Sequence, residues 1–210
     1  MVLWWVDGAA CDDTGMPVGD TQREFAAAAR RDGIELVSQS VDWLSRRGHL
    51  GLPEDNRRHD VVAVLEGIYL ALGGDLTALA TGKPTRLRGD FMHEASGTLI
   101  EVDESQHFTS FRLTTLQMYP ASAALGFDPQ RYVELCRTWR HRSDNYYRTK
   151  QARGFGAGGR QRQRAYYDAL RDLAPPAMGH PPLIRIDAAD RDPVAAYHRN
   201  RDRLISALKL

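Results

Sequence analysis

Near the middle of the chain, two extended stretches flank a four-residue turn, and their alternation limits the fold more than any other feature. Lys83 is followed by Pro84–Met92 (PTRLRGDFM), which reads as a strand; Glu94-Ala-Ser-Gly97 reads as a hairpin turn, and Thr98–Glu104 (TLIEVDE) as the returning strand. Side chains alternate across a strand, so Ile100 and Val102 share one face while Glu101 and Asp103 share the other. The two carboxylates then project about 6.5–7 Å apart along the strand. On the first strand Arg86, Arg88 and Asp90 form the matching polar set, and the turn brings Asp90 opposite Glu101. A hairpin with one apolar face must be covered by something else, and the rest of the chain offers helices.

Thr21–Arg31 reads as a helix with Thr21 as N-cap, Glu24 at the capping-box position and Gly33 as its stop. Asp60–Leu72 places Val61, Val64, Leu65, Ile68 and Leu72 on one face, and Gly73-Gly74 ends it. Further helices are expected over Gln106–Met118, Arg131–Tyr147, Arg160–Leu173 and Pro193–Leu208, with short strands at Ile34–Val37 and Leu183–Ile186. Residues 1–20 read as a strand and a Gly- and Asp-rich loop, and Ser45–Asn56 as a loop. The predicted class is α/β of the mixed α+β kind, a mixed sheet flanked by helices. Its core is expected over residues 56–210, with residues 1–55 as an N-terminal extension packed on or capping it, and a basic helical insertion at about 128–160.

With 42% hydrophobic and 26% charged residues, a chain of 210 residues can bury a core without staples. Cys11 and Cys136 stand alone, which excludes a disulfide framework or a Cys-x-x-Cys zinc pair. No stretch reaches the roughly 20 apolar residues of a membrane span, and the apolar opening lacks a signal peptide's basic start, so a cytoplasmic protein is expected, without a membrane partner. There is no His-Glu-x-x-His, no Gly-x-Ser-x-Gly, and no strand or downstream acid to make Gly154–Gly159 a dinucleotide loop.

Three acids on one patch repel unless a cation offsets them, and an all-oxygen set suits Mg²⁺ or Mn²⁺ rather than zinc. The plainer alternative is an exposed acidic strand face that serves solubility. The dense run after the acids, Gln106-His107-Phe108 and then Arg112, argues against it. A pair of carboxylates also leaves open a hydrolase acting on sugars, although no aromatic platform lies near the acids.

The segment Arg88-Gly-Asp90 … Leu-Ile-Glu101-Val-Asp-Glu-Ser-Gln-His107-Phe … Arg112 resembles the PD-(D/E)XK, or restriction-endonuclease-like, nuclease superfamily. Within it, the likeness is to the branch similar to very-short-patch repair endonucleases. The resemblance spans roughly Asp60–Ile186 and is specific over about 25 residues. It implies metal-assisted hydrolysis of phosphodiester bonds, with Mg²⁺ (or Mn²⁺) held by Asp90, Glu101 and the carbonyl of Val102, and with Glu66 joining from the preceding helix. It further implies Asp103 as a second-metal or water-positioning group, Gln106 and His107 as catalytic groups, and Arg112 as a phosphate contact. Three departures stand out: Asp103 occupies the motif's Lys position, Glu104 a common Gly position, and Gly89 rather than Pro precedes Asp90. Lys83 or Lys150 then has to stand in for the missing Lys, or Gln106 or His107 does. Without any of them the fold would serve to bind nucleic acid or a protein partner without cleaving.

Charge points the same way. Arg131–Arg171 carries eleven Lys/Arg against three acids, a local +8 that leaves −7 for the remainder of a chain whose net charge is +1. Lys150, Arg153, Arg160, Arg162 and Arg164 are the expected nucleic-acid contacts, DNA before RNA. Cations at the start of a helix oppose its dipole, which favours an anionic partner there. An ordinary solvated helical face is the competing reading. A homodimer is the arrangement by which such enzymes cut both strands of a duplex.

Overall fold

The computed structural model describes residues 20–38, 41–53 and 59–210. The strand and loop expected over residues 1–20 fall, apart from Asp20, outside them, as does part of the Ser45–Asn56 loop. Among the described residues the chain forms α1 (Asp20–Arg31), α2 (His59–Ala71), α3 (Leu76–Ala80), β1 (Phe91–His93), β2 (Thr98–Asp103), α4 (Ser110–Gln117), α5 (Pro129–Ser143), α6 (Arg160–Ala177), β3 (Ile184–Asp187) and α7 (Pro193–Leu208). No helix among them is long and apolar enough to cross a membrane.

Four of the helices begin where a side chain takes up free backbone N–H groups. Asp75, Thr109, Asp128 and Asp192 cap α3, α4, α5 and α7, and Pro129 and Pro193 add a preset φ at the first turn. Thr109 explains why α4 starts at Ser110 rather than at Gln106; Ser105–His107 forms a single 3₁₀ turn before it. Helix α6 runs past Leu173 through Pro175-Pro176 to Ala177, and these prolines give up two i→i−4 bonds just before the helix ends.

The mixed α/β class is observed, with a three-stranded sheet in the order β1-β2-β3. β1 and β2 are antiparallel, with Phe91 opposite Ile100, and β2 and β3 are parallel, with Glu101 opposite Arg185. A parallel pair needs a long crossover, and α4, α5 and α6 lie within it. Val37 bridges Met92 at the outer edge of β1. The expected strand over Pro84–Met92 joins the ladder only from Phe91; before Gly89-Asp90, Arg86 bridges Ser45 instead.

All six residues of β2 are buried, so the sheet is covered on both faces. One side is apolar: Phe25 and Ala28 of α1 and Tyr197 and Leu204 of α7 pack over Ile100, Val102, Ile184 and Ile186. Residues 20–38 thus share in the main core. The other side carries Glu101, Asp103 and Arg185 under α4, α5 and α6. The reading of an exposed acidic face is therefore overturned, because helices from the crossover close over it. A second apolar cluster joins α2 to α6 through Leu65, Ile68, Tyr69, Tyr166, Ala169 and Leu170.

The link between α6 and the turn before α2 is tight. The Tyr166 hydroxyl accepts from the His49 N–H at 2.9 Å and meets His49 Nδ1 at 2.8 Å. Gly48 has φ +58, and a Cβ there would lie 2.1 Å from that hydroxyl. Gly48→Ala is expected to cost about 2–3 kcal/mol from strain and overpacking together, read as a lower urea midpoint at unchanged slope.

Candidate functional site

Just before the first paired residues of the hairpin, Phe91 and Ile100, Asp90 lies beside Glu101. The two are tied crosswise: the Asp90 N–H donates to Glu101 Oε1 at 3.1 Å, and the Val102 N–H donates to Asp90 Oδ2 at 2.9 Å. A strand residue's N–H and C=O point to the same neighbour, so the Val102 carbonyl is on the Asp90 side as well. Arg171 of α6 lies 3.4 Å from Glu101 through Nε, an atom that is buried without a hydrogen-bond partner. Its Nη2 donates to the Arg88 carbonyl.

Burial pushes the Glu101 carboxyl up to about 7 despite Arg171, and Asp90 reinforces the rise. Burial likewise raises Asp90 to about 6, against the pull of the Val102 N–H. Both acids are driven up chiefly by burial, which the nearby Arg171 and Arg185 offset only in part. Together with the Val102 carbonyl they form an oxygen donor set of the kind Mg²⁺ takes, since that ion keeps several waters and needs few carboxylates.

The third acid of the hairpin has a different fate. Both Asp103 carboxylate oxygens accept from Arg185 Nη1, at 2.8 and 2.9 Å, and Oδ2 also accepts from the Tyr132 hydroxyl at 2.9 Å. Arg185 also reaches Asp172 at 2.6 Å and Asp168 at 3.4 Å, and Arg112 closes on Asp172 at 2.5 Å. His107 Nδ1 stands 3.1 Å from Asp168 and 3.3 Å from Asp103. Burial alone would raise Asp168; His107 and Arg185 outweigh it and hold this carboxylate well below the usual range. Asp103 is thus engaged on both oxygens by protein groups.

Several expected contacts belong to the interior or to the chain itself. Arg112 is 1% exposed and ion-paired to Asp172, so it is a core cation and not a phosphate contact, a correction that follows from its place on the buried face of α4. Arg162 donates to the carbonyls of Leu72, Phe155 and Ala157, and these satisfy the charge that seemed to ask for an anion. Arg164 sits over the Tyr147 ring and reaches the Gln106 carbonyl, while the Gln106 amide turns to Glu104. Glu66 faces His49 Nε2 at 3.7 Å rather than the hairpin. Among the described residues no three His, Cys, Asp or Glu side chains converge as a metal-holding group. Lys150, Arg153 and Arg160 are exposed, Lys150 over Tyr147 at 4.2 Å.

Reading the sequence alone missed Arg171, Asp168, Asp172 and Arg185. Arg185 had a visible signal, a lone cation in the apolar run Leu-Ile-Arg-Ile; its partners Asp172 and Asp168, 13 and 17 residues away, had none.

A model of a family of unknown function (DUF7255) matches residues 67–152, from the middle of α2 to the loop before α6. The match includes Asp90, Glu101 and Asp103 but neither Arg171 nor Arg185. No curated protein and no solved structure matches the chain.

The two kinds of acid predict opposite responses. Arg185→Leu leaves Asp103, Asp168 and Asp172 short of a buried cation and is expected to cost about 3–5 kcal/mol in urea unfolding. Asp90 and Glu101, with folded pKa values above their unfolded ones, favour the fold while protonated and lose that contribution as pH rises to about 7. An Asp90→Asn/Glu101→Gln protein should therefore gain in Tm over wild type as pH is raised from 4.5 to 7.5, without added divalent metal.

Proposed function

We propose that this chain is a metal-dependent phosphodiesterase of the restriction-endonuclease-like kind that hydrolyses DNA, with Asp90 and Glu101 as its metal ligands. The observation that carries the reading is the pair itself. Two carboxylates, one immediately before β1 and one on β2, are locked by crosswise hydrogen bonds, and burial raises them to about 6 and about 7.

When bound, a divalent ion would supply a polarised water and offset charge on the phosphate. The chain's own residues do the rest. Asp90, Glu101 and the Val102 carbonyl present oxygens on a rigid hairpin, and the crosswise N–H bonds keep the carboxylates from rotating away. Arg171, 3.4 Å from Glu101, places a guanidinium where a phosphate would approach, in a region from which the motif's Lys is missing. Asp103 and His107 act as supports: they fix α6, and with it Arg171, on the polar face of the sheet. A homodimer and a nucleic-acid partner belong to this reading.

The same Arg171 contact favours a second reading, in which the guanidinium substitutes for the metal and the fold binds nucleic acid without cutting it. The two are separated by assaying supercoiled, linear and single-stranded DNA and RNA with Mg²⁺, Mn²⁺ or EDTA. Metal-dependent cutting is expected, and Asp90→Ala and Glu101→Ala should each lower the rate by about a hundredfold or more. EDTA-insensitive, salt-sensitive binding with no cutting on any substrate would replace the enzyme by the binding protein. Calorimetric Mn²⁺ affinity should also rise as pH increases from about 5.5 to 7.5, since the ion must displace the protons of the pair.

A further inference from the structure

Beside the start of α6 lies a small pocket that shares no residue with the carboxylate pair. Arg46, Lys83, Arg153, Phe155, Gln163 and Tyr167 are among the residues that line it, and its volume is about 170 Å³. No acid lines it among the described residues. Three cations around one hollow repel each other, and no ion pair to a described carboxylate relieves any of them.

The pocket is held by its surroundings rather than by its own charges. Arg153 donates through Nε to the Ala78 carbonyl at 3.3 Å and through Nη2 to the Thr81 carbonyl at 2.9 Å, contacts that leave Nη1. The Tyr167 hydroxyl donates to the Arg46 carbonyl at 2.9 Å, and the Arg46 N–H donates to the Thr85 carbonyl at 2.8 Å. Gln163 accepts from Arg160 at 2.7 Å, in the first turn of α6, where the helix dipole adds positive potential. A guanidinium fixed by carbonyls, with an ammonium and a second guanidinium nearby, is preorganised for a multiply charged oxyanion. The size narrows the choice: drug-sized ligands occupy about 300–1,000 Å³, so only a small group can enter.

We propose that this pocket is a binding site for a single terminal phosphoryl group, a site separate from the carboxylate pair and not dependent on any cleavage activity. The group can be carried by a free mononucleotide or by the 5′ end of an oligonucleotide, and Arg46, Lys83 and Arg153 hold it.

The test uses the full chain without divalent metal. Inorganic phosphate and a nucleoside 5′-monophosphate are titrated by calorimetry, and 5′-phosphorylated and 5′-hydroxyl forms of one short oligonucleotide by fluorescence anisotropy. Saturable binding of phosphate-bearing probes is expected, and Lys83→Ala and Arg46→Ala should each weaken it about tenfold, as loss of a charge-assisted hydrogen bond does. Lys83→Gln, with unchanged Tm, guards against a folding effect. Tighter binding of the 5′-phosphorylated oligonucleotide than of the mononucleotide supports the site with an oligonucleotide end as its ligand; equal affinities support it with a small ligand. Affinities unchanged in the variants, or absence of binding of every phosphate-bearing probe, would overturn the proposal. Metal-dependent cleavage by the Arg46→Ala protein reports on the carboxylate pair alone.

Discussion

Everything on the polar side of the sheet depends on one buried guanidinium. Arg185 is 1% exposed, opposite Glu101 in the parallel ladder, and it binds Asp103 from β2 together with Asp172 and Asp168 from α6. Without it, the return of the crossover onto the sheet would bring carboxylates of α6 against a carboxylate of β2. With it, and with Arg112 on Asp172, three acids meet two cations and His107. A network of this kind contributes little net stability over an apolar core of the same shape. What it specifies is register: only one alignment of β3 beside β2 lets the guanidinium fork meet all three acids.

The same face shows where compensation ends. Asp103 is neutralised on both oxygens, whereas Glu101, two residues earlier on the same strand, has Arg171 alone at 3.4 Å, and Asp90 relies on a backbone N–H. Burial is comparable for Glu101 and Asp103, 6% and 1% exposed, so desolvation does not separate them. The distribution of cations does. Burial raises Asp90 to about 6 and Glu101 to about 7, and the cations that reach them offset this only in part, as at sites that bind a charged partner.

How much of this was legible follows from the range of each signal. The hairpin was legible because alternation and a turn are local: Ile100 and Val102 do face the apolar core, and Asp90 does come to Glu101. The longer helices were legible in position but the short α3 was not; α4 starts late because Thr109 caps it, α5 ends at Ser143 rather than Tyr147, and α6 runs on to Ala177. The burial of the acids was not legible, because it depends on which helices the crossover lays over β2. The nucleic-acid contacts suffered for the same reason. Arg112 and Arg162 look like surface cations in the sequence, but tertiary packing gives one a carboxylate and the other three carbonyls.

Helix α6 connects the two proposed sites by simple geometry. Gln163, which lines the cationic pocket, Tyr167, which pins Arg46, and Arg171, which touches Glu101, follow each other at four-residue steps on one face. Eight residues of helix span about 12 Å, so pocket and carboxylate pair sit at opposite ends of one stiff segment. Asp168 and Asp172 lie on the same stretch and fasten it to Arg185. The buried network therefore does more than close the fold: it sets the distance between a cation-lined pocket and a pair of under-compensated carboxylates.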